Sequence, residues 1–275
     1  MAEIITADHG KESGHWYKHN GSPAYTIIGK NGTERPTTLR DARMLNLVPS
    51  VSGIIVLANR PGLDNWKIDQ AILSALTLPR LNEEPEAAYL SRIKEDAKAQ
   101  AKKAAERGTL IHAWVQKGFE GKYEPVRQTM IDLEDERLKF YDSARKTLDA
   151  ECGCQNSWIC EKSFATERYG GKCDLHNDLY LIDIKTTDKD LATIKTWDEH
   201  AMQLAAYDYG LDWDVPLRHR KCGILYIHKD TAESRLLWIE SKELEKGWKM
   251  FSALLDYWYA KSGLIISLDN QPEGA

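Results

Sequence analysis

The chain of 275 residues is 42% hydrophobic and 29% charged, which is ordinary for a globular protein and excludes a disordered tail, a collagen-like fibre and a disulfide scaffold. No stretch is apolar for long enough to span a membrane, and the N-terminal segment lacks the basic-then-apolar pattern of a secretion signal. We therefore expect a cytoplasmic protein that has no membrane partner and whose five cysteines are reduced.

The formal net charge of −5 argues against a protein coated in positive charge for passive nucleic-acid binding. It does not exclude an enzyme that acts on nucleic acid. A carboxylate-rich metal site adds negative charge, and phosphate contacts need only a local basic stripe. The choice between function classes therefore depends on individual residues.

Residues 1–35 are expected to form a small β-rich appendage. A strand over 25–28 lies between two Asn-Gly turns, at 20–21 and 31–32. Helices follow over 39–45, 50–57 and 66–76. Ser50 or Ser52 would cap the second of these helices.

A long polar helix is predicted over 80–107. The candidates for contacts with a phosphate backbone are its bases Lys98, Lys102, Lys103 and Arg107. A solvated helix face is the alternative, because acids are interspersed among the bases. Gly108 interrupts the pattern, so a separate helix is expected over 109–119.

From residue 128 onward, helices and strands alternate. The predicted order is a helix over 128–148, strands over 158–164, 172–176 and 179–185, a helix over 194–210, strands over 222–228 and 235–240, and a helix over 244–259. Gly170 and Gly171 are expected in a turn, and Gly210 as a helix C-terminal cap. This order predicts one mixed α/β domain over 36–265, divided into a helical elaboration over 36–108 and an α/β core over 109–265, with a tail over 266–275.

The strand over 179–185 carries an acid and a base on one face. Since side chains alternate along a strand, Asp183 and Lys185 project to the same side, although a surface salt bridge would also explain the pair. The short turn before this strand brings Asp174 beside Asp183, and two close carboxylates repel each other unless a cation or a proton lies between them. Hard oxygen ligands suit Mg²⁺ or Mn²⁺, so the two acids are a candidate metal site.

Four further residues are weaker candidates on their own. Glu161 lies within a predicted strand, where glutamate is disfavoured unless it simply alternates outward. His112 lies beside the apolar stripe of its helix, where a hydrogen-bonded histidine at the edge of the core is the common case. Gln203 and Tyr207 are four residues apart on one helix face, which by itself indicates only a polar flank.

In combination these residues form an ordered set of motifs. The motifs are Gly-Thr-x-x-His112, Glu161, Gly-x-x-Asp174, Asp183-Ile-Lys185 and Gln203-x-x-x-Tyr207. The set resembles the PD-(D/E)XK nuclease superfamily, and within it the RecB-type branch that includes phage and mitochondrial genome maintenance exonucleases. Residues 49–54 and 63–66 are similar to the N-terminal signature of phage members, and Ser50 and Ser52 in that signature are added to the predicted DNA contacts.

The resemblance implies a restriction-endonuclease-like mixed β-sheet flanked by helices, to which the helical N-terminal elaboration is added. It implies that His112, Asp174 and Asp183 bind one or two Mg²⁺ or Mn²⁺ ions, with help from Glu161. Lys185 would then orient the attacking water and stabilise the charge of the transition state. Gln203 and Tyr207 would position Lys185 and the DNA strand.

The expected function is that of a metal-dependent DNA exonuclease acting on single strands or duplex ends in phage-type recombination, replication or DNA degradation. The alternatives are a structure-specific endonuclease and a non-catalytic DNA-binding module that retains the fold. The expected partners are DNA and a phage recombination or single-strand-annealing protein in the bacterial cytoplasm. No iron–sulfur cluster is expected, because the cysteines at 152, 154, 160 and 173 precede or lie between the motifs and only Cys222 follows them.

Overall fold

The computed structural model describes residues 15–58, 61–122, 131–153, 157–212 and 220–266. Its helices are α1 (Leu39–Leu45), α2 (Val51–Ile55), α3 (Pro61–Thr77), α4 (Glu86–Phe119), α5 (Ile131–Cys152), α6 (Asp198–Leu211) and α7 (Ser241–Ser262). Its strands are β1 (Trp16–Tyr17), β2 (Thr26–Ile28), β3 (Glu34–Pro36), β4 (Val48–Pro49), β5 (Ile159–Ala165), β6 (Gly170–His176), β7 (Tyr180–Thr187), β8 (Lys221–His228) and β9 (Ser234–Trp238).

The core is a five-stranded sheet in the order β5-β6-β7-β8-β9. Neighbouring strands are antiparallel except β7 and β8, which are parallel and are connected through α6, as a parallel pair requires. One hydrophobic cluster joins the sheet to α2, α6 and α7, and a second joins it to α4 and α5. The predicted fold class, a mixed sheet flanked by helices, is confirmed.

The predicted break at Gly108 is wrong, because α4 runs through it without interruption. A Cβ atom at Gly108 would lie 2.7 Å from Thr186 Oγ1 in β7. Glycine in a helix interior costs about 1 kcal/mol relative to alanine. Here the glycine allows α4 to approach the sheet closely. Its presence therefore reflects a contact with a residue that is distant in the sequence.

The glycines predicted to form a turn or to cap a helix also lie within a strand or a helix. Gly170 and Gly171 begin β6, where a Cβ atom would come within 2.5 Å of Tyr17 and 2.7 Å of Phe164 respectively. Gly210 lies within α6, where a Cβ atom would come within 2.0 Å of the ring of Phe164. The predicted turn and the predicted cap are therefore wrong, and the space that each glycine leaves is filled by an aromatic side chain.

The N-terminal residues form two small antiparallel sheets. β2 pairs with β3, which confirms the predicted strand, and α1 has the predicted bounds. Thr38 caps α1 and the Asp41 carboxylate accepts hydrogen bonds from both Thr38 and Arg35. The Arg35 guanidinium, together with Thr38, holds the pKa of Asp41 well below its usual range, against the effect of burial.

The second small sheet joins residues on both sides of the predicted boundary at position 35. β1 pairs with β4, with Trp16 opposite Pro49. Ser50, one of the two residues predicted to cap this helix, caps α2 by accepting a hydrogen bond from the Gly53 amide at 3.0 Å. The division of the chain into an appendage, a nuclease domain and a tail stays a prediction.

Within the described residues, none of the helices combines the length and the apolar character that crossing a bilayer requires.

We expect replacement of Gly247 by alanine to destabilise the protein. A Cβ atom there would lie 2.5 Å from the backbone carbonyl of Ala201 in α6, and backbone cannot yield as the tip of a side chain does. The gain of about 1 kcal/mol in helix propensity is outweighed by an overpacking cost of about 1–3 kcal/mol. Urea unfolding measures the resulting decrease in the free energy of unfolding.

Gly62→Ala is the matched control. Gly62 also lies in a helix, but its Cβ position has nothing within 4 Å, so alanine should maintain or raise the free energy of unfolding. A Gly247→Ala protein as stable as this control would contradict the backbone contact between α6 and α7.

Candidate metal centre

The candidate site forms where the alternation of side chains along two neighbouring strands is reversed. In β5, Glu161 has a left-handed backbone with a φ of 52°, which residues other than glycine adopt rarely. Cys160 packs with the cluster under α4 and α5, whereas Phe164, four residues later, packs with the cluster under α6 and α7. In β6, Cys173 and Leu175 likewise pack in different clusters. Side chains at this point therefore reach helices on both faces of the sheet.

Asp174 connects β6 to β7 and to α4. Strands β6 and β7 pair at Leu175 and Ile182. Beyond this pair, the backbone N–H of Ile184 donates to Asp174 Oδ2 at 2.7 Å, so a side chain accepts a hydrogen bond from the neighbouring strand. The other oxygen, Oδ1, lies 3.1 Å from His112 Nε2. Both carboxylate oxygens are thus held by groups on different elements.

His112, on α4, lies between two carboxylates. Its Nε2 faces Asp174, and its Nδ1 lies 3.8 Å from Glu161 Oε1. One potential ligand atom from each of these three residues lies within 4.8 Å of the others, and all three residues are half-buried. We call His112, Glu161 and Asp174 the candidate ligand group. Imidazole nitrogen and carboxylate oxygen together suit a divalent ion such as Mn²⁺.

The charge balance of this group also fits a cation. Burial alone would lower the pKa of His112, but the Asp174 and Glu161 carboxylates outweigh it and raise the pKa to about 9. The imidazolium proton therefore supplies the positive charge that the carboxylates need. A divalent ion held by the same residues would supply that charge instead and would displace the proton.

A hydrogen-bonded network beside the candidate ligand group joins β7 to α6. The Gln203 side-chain amide donates to Asp183 Oδ1 at 2.9 Å and to the Tyr207 hydroxyl at 3.0 Å. Its carbonyl oxygen accepts from Lys185 Nζ at 3.2 Å. Lys185 Nζ also lies 2.6 Å from Asp183 Oδ2. Gln203 therefore fixes the acid and the base of β7 together.

Asp183 lies beside the candidate ligand group, and its two oxygens face Gln203 and Lys185. Its side chain is 3% exposed. Burial, together with the nearby Asp174 carboxylate, raises the pKa of Asp183 to about 6, although Lys185 opposes the shift. Asp183 is therefore ionised at neutral pH, but by a small margin.

Lys172 is a charged residue of the site that the sequence motifs did not reveal. It lies on β6 two residues before Asp174, and its ammonium group forms an ion pair with Glu161. Burial tends to lower the pKa of Lys172, but Glu161 outweighs it and raises the pKa above its usual value. The signal available in the sequence was the shared strand face of Lys172 and Asp174.

The structure separates the predicted DNA contacts into two kinds. Lys98, Lys102 and Lys103 are exposed on α4. Arg107, by contrast, forms an ion pair with Glu136 on α5, and its guanidinium lies over the rings of Trp114 and Phe140 in the core under α4. This placement favours a structural role for Arg107.

The two serines also differ. Ser50 is 3% exposed because it caps α2, whereas Ser52 is exposed. Their hydroxyl oxygens lie 3.2 Å apart. Contact with DNA at this point stays a prediction, and Ser52 has the more accessible hydroxyl.

The described cysteines, Cys152, Cys160, Cys173 and Cys222, are free thiols. Burial raises the pKa of Cys152 and Cys160 to about 11, so both thiols are protonated at neutral pH. Cys154 lies outside the described residues.

An open groove of about 640 Å³ runs along α4 to the candidate site. Its lining comes from α3, α4, β7 and the turn after β8, and includes Trp66, Ala101, Ala104, Ala105, Gly108, Thr109, His112, Ile184, Lys185, Thr186 and Lys229. Since His112 and Lys185 both line the groove, a molecule bound in it would lie against the candidate ligand group and the lysine.

No protein-family model matches the chain, and no curated protein matches it in sequence. The solved structures that overlap it in part include three exonucleases. A candidate exonuclease from Eubacterium rectale is 15% identical, with a TM-score of 0.39 over 58% of this chain and 69% of that one. The alkaline exonuclease LHK-Exo from Laribacter hongkongensis is 14% identical, with a TM-score of 0.32 over 78% and 92%. A phage-related exonuclease from Haemophilus somnus is 14% identical, with a TM-score of 0.29 over 70% and 92%. These overlaps are too loose to support a function, which therefore has to come from the site.

The affinity for Mn²⁺ is expected to rise with pH. Because the pKa of His112 is raised to about 9, its imidazole is protonated at pH 7, and a metal ion that uses it must displace a proton. Above about pH 6 the neighbouring Asp183 is already ionised, so the proton on His112 is the one that the metal ion displaces. In this range the apparent affinity should rise by up to about tenfold per pH unit until the pKa of His112 is reached. Calorimetric titrations in buffers of different protonation enthalpy measure both the affinity and the released proton.

His112→Ala should bind Mn²⁺ more weakly and with a flatter pH dependence. The control is Asp256→Asn on α7, which removes one partner of an exposed ion pair with Arg168 and should change neither property. Equal pH slopes in the wild type and in His112→Ala would contradict the role of His112 as a ligand.

Proposed function

We propose that this chain is a nuclease that requires Mg²⁺ or Mn²⁺ and hydrolyses the phosphodiester backbone of DNA from an end. The observation that supports this most is the position of the candidate ligand group beside the network of Asp183, Lys185 and Gln203. His112 of the group and Lys185 of the network line the same groove. A cation site next to a fixed ammonium group suits an anionic substrate whose transition state gains negative charge.

The residues of the candidate ligand group would hold the metal ion. Bound there, Mg²⁺ or Mn²⁺ would neutralise phosphate oxygens and lower the pKa of coordinated water. Glu161 and Asp174 supply the carboxylates, and His112 supplies the nitrogen once it has lost its proton.

Lys185 supplies fixed positive charge to the reacting phosphate. Its side chain is 34% exposed and lines the groove, while Asp183 and Gln203 hold its ammonium group in place. Tyr207 is buried, and burial raises the pKa of its hydroxyl well above the usual value. It therefore stays neutral and holds Gln203, so that Tyr207 and Gln203 position Lys185 without carrying charge themselves.

Cleavage from an end is proposed because the five motifs resemble those of RecB-type exonucleases. A structure-specific endonuclease would use the same chemistry, so the substrate has to separate the two. An exonuclease digests linear single-stranded DNA and leaves a closed single-stranded circle of the same sequence intact. Nicking of the circle at a comparable rate would replace this proposal with the endonuclease.

We expect Lys185→Ala to lower the rate of DNA cleavage by about 10²–10³-fold, because it removes charge stabilisation from the transition state. Mn²⁺ affinity should be retained, since Lys185 is outside the candidate ligand group. Single-turnover digestion of end-labelled DNA, with Mg²⁺ and with chelator, measures the effect.

Lys246→Ala is the control for this variant, because Lys246 is exposed on α7 and pairs there with Asp198. It should cleave like the wild type. Full activity in Lys185→Ala would contradict its assigned role. A wild-type protein that binds DNA but cleaves none of it with Mg²⁺ or Mn²⁺ would instead favour the non-catalytic module.

The exposed lysines of α4 give a second prediction for this function. If Lys98, Lys102 and Lys103 bind phosphates, changing all three to glutamate should weaken DNA binding and reduce its salt dependence. The log–log slope should fall by about 0.7 for each phosphate of a single strand that is no longer neutralised. The matched control changes the exposed Lys242, Lys246 and Lys249 of α7 to glutamate. Equal slopes in both triple variants would indicate that the α4 lysines are only a solvated face.

A further inference from the structure

We propose that the groove along α4 holds a single nucleic-acid strand and that one base of this strand stacks on Trp66. The inference rests on the proposed function, because it assigns the form of the substrate that reaches that site. It also assigns a binding role to Trp66 on α3, the last residue of the signature over 63–66, for which the sequence predicts no role.

The shape of the groove suits one strand. Ala101, Ala104, Ala105 and Gly108 follow each other at helical spacing, so they line one face of α4 with small side chains that lead to His112. The groove is open to solvent and has a volume of about 640 Å³, which is the scale of a site for one small ligand. A B-form duplex, whose major groove alone is about 12 Å wide, is much larger.

Trp66 offers a ring face in this groove. Other half-exposed tryptophans pack against neighbouring rings: Trp158 against Tyr180, Trp248 against Tyr209. In the part of the chain that the structure describes, no ring packs on Trp66 in this way, and its side chain is half-exposed along the groove. An aromatic face of this kind can stack on any nucleobase, so the contact does not depend on the sequence of the strand.

The charged end of the groove suits the backbone of the same strand. Lys185 and Lys229 line it at the end of β7 and in the turn after β8. The backbone of Lys229 is fixed, because its N–H donates to the Thr187 carbonyl at 2.8 Å and its carbonyl accepts from Arg107 at 3.4 Å. A stacking ring at one wall and cations at the other are the two features by which proteins bind single strands.

The experiment separates base stacking from backbone contact. Binding of fluorescent oligothymidylate is compared with binding of a strand of equal length and charge in which the bases are replaced by abasic sites. Both strands carry phosphorothioate linkages to slow cleavage, and Mg²⁺ is present. The proteins are the wild type, Trp66→Ala, Trp66→Phe and the control Trp197→Ala, which removes another tryptophan, 58% exposed at the start of α6 and absent from the groove lining.

Trp66→Ala should weaken oligothymidylate binding by about 5- to 150-fold, which is the usual effect of losing one stacked base. Binding of the abasic strand should change little. Trp66→Phe should restore most of the affinity for oligothymidylate, and Trp197→Ala should match the wild type. Circular dichroism of each variant shows whether the fold is retained.

Three outcomes overturn the inference. In the first, Trp66→Ala does not change the affinity for oligothymidylate. In the second, it lowers the affinity for both strands equally. In the third, a blunt-ended hairpin binds as tightly as the single strand, and Trp66→Ala does not change its binding. The third outcome would assign the groove to a duplex end. Cleavage of unmodified DNA by the same wild-type preparation keeps the proposed function in all three cases. Trp66-dependent binding without any cleavage would overturn the proposed function and leave the groove assignment intact.

Discussion

The site depends on how Asp174 is held. One of its oxygens accepts the backbone N–H of Ile184, and the other faces His112, so a single carboxylate ties β6 to β7 and to α4. An aspartate that takes the place of a backbone acceptor cannot move without disturbing the sheet. Its charge is therefore fixed at the point where the strands open, and the surrounding residues have to compensate that charge.

The compensation differs on the two faces of the sheet. Toward α4, the imidazolium of His112 balances the carboxylates, and Lys172 pairs with Glu161. Toward α6, Gln203 and Lys185 hold Asp183. Clustered acids with half-buried surroundings are stable only with such partners, because each unpaired charge would carry a desolvation penalty. A divalent ion bound by the candidate ligand group would take over the positive charge that the proton on His112 now provides.

The sequence predicted the elements and the residue set that depend on local signals. Strand alternation predicts that Asp183 and Lys185 share one face, and in the structure both form hydrogen bonds with Gln203. What it missed depends on contacts between distant segments. The pattern predicts a helix break at Gly108, since it cannot show the close neighbour Thr186, which belongs to another element. The same pattern groups Arg107 with the exposed lysines, since its ion-pair partner Glu136 lies on another helix, α5.

Two other features of the site have a geometry that the sequence does not indicate. The left-handed backbone of Glu161 reverses the strand alternation, and periodicity cannot reveal a reversal of that kind. The position of Trp66 opposite α4 follows from how α3 packs, and the signature over 63–66 includes this residue without specifying where it lies in the fold. Crystals of the protein grown with Mn²⁺ test the candidate ligand group most directly, through the anomalous scattering of the ion. We predict a peak about 2.0–2.6 Å from carboxylate oxygens of Asp174 and Glu161. A well-ordered site at millimolar Mn²⁺ with no peak there, and His112 still paired with Asp174, would contradict this prediction.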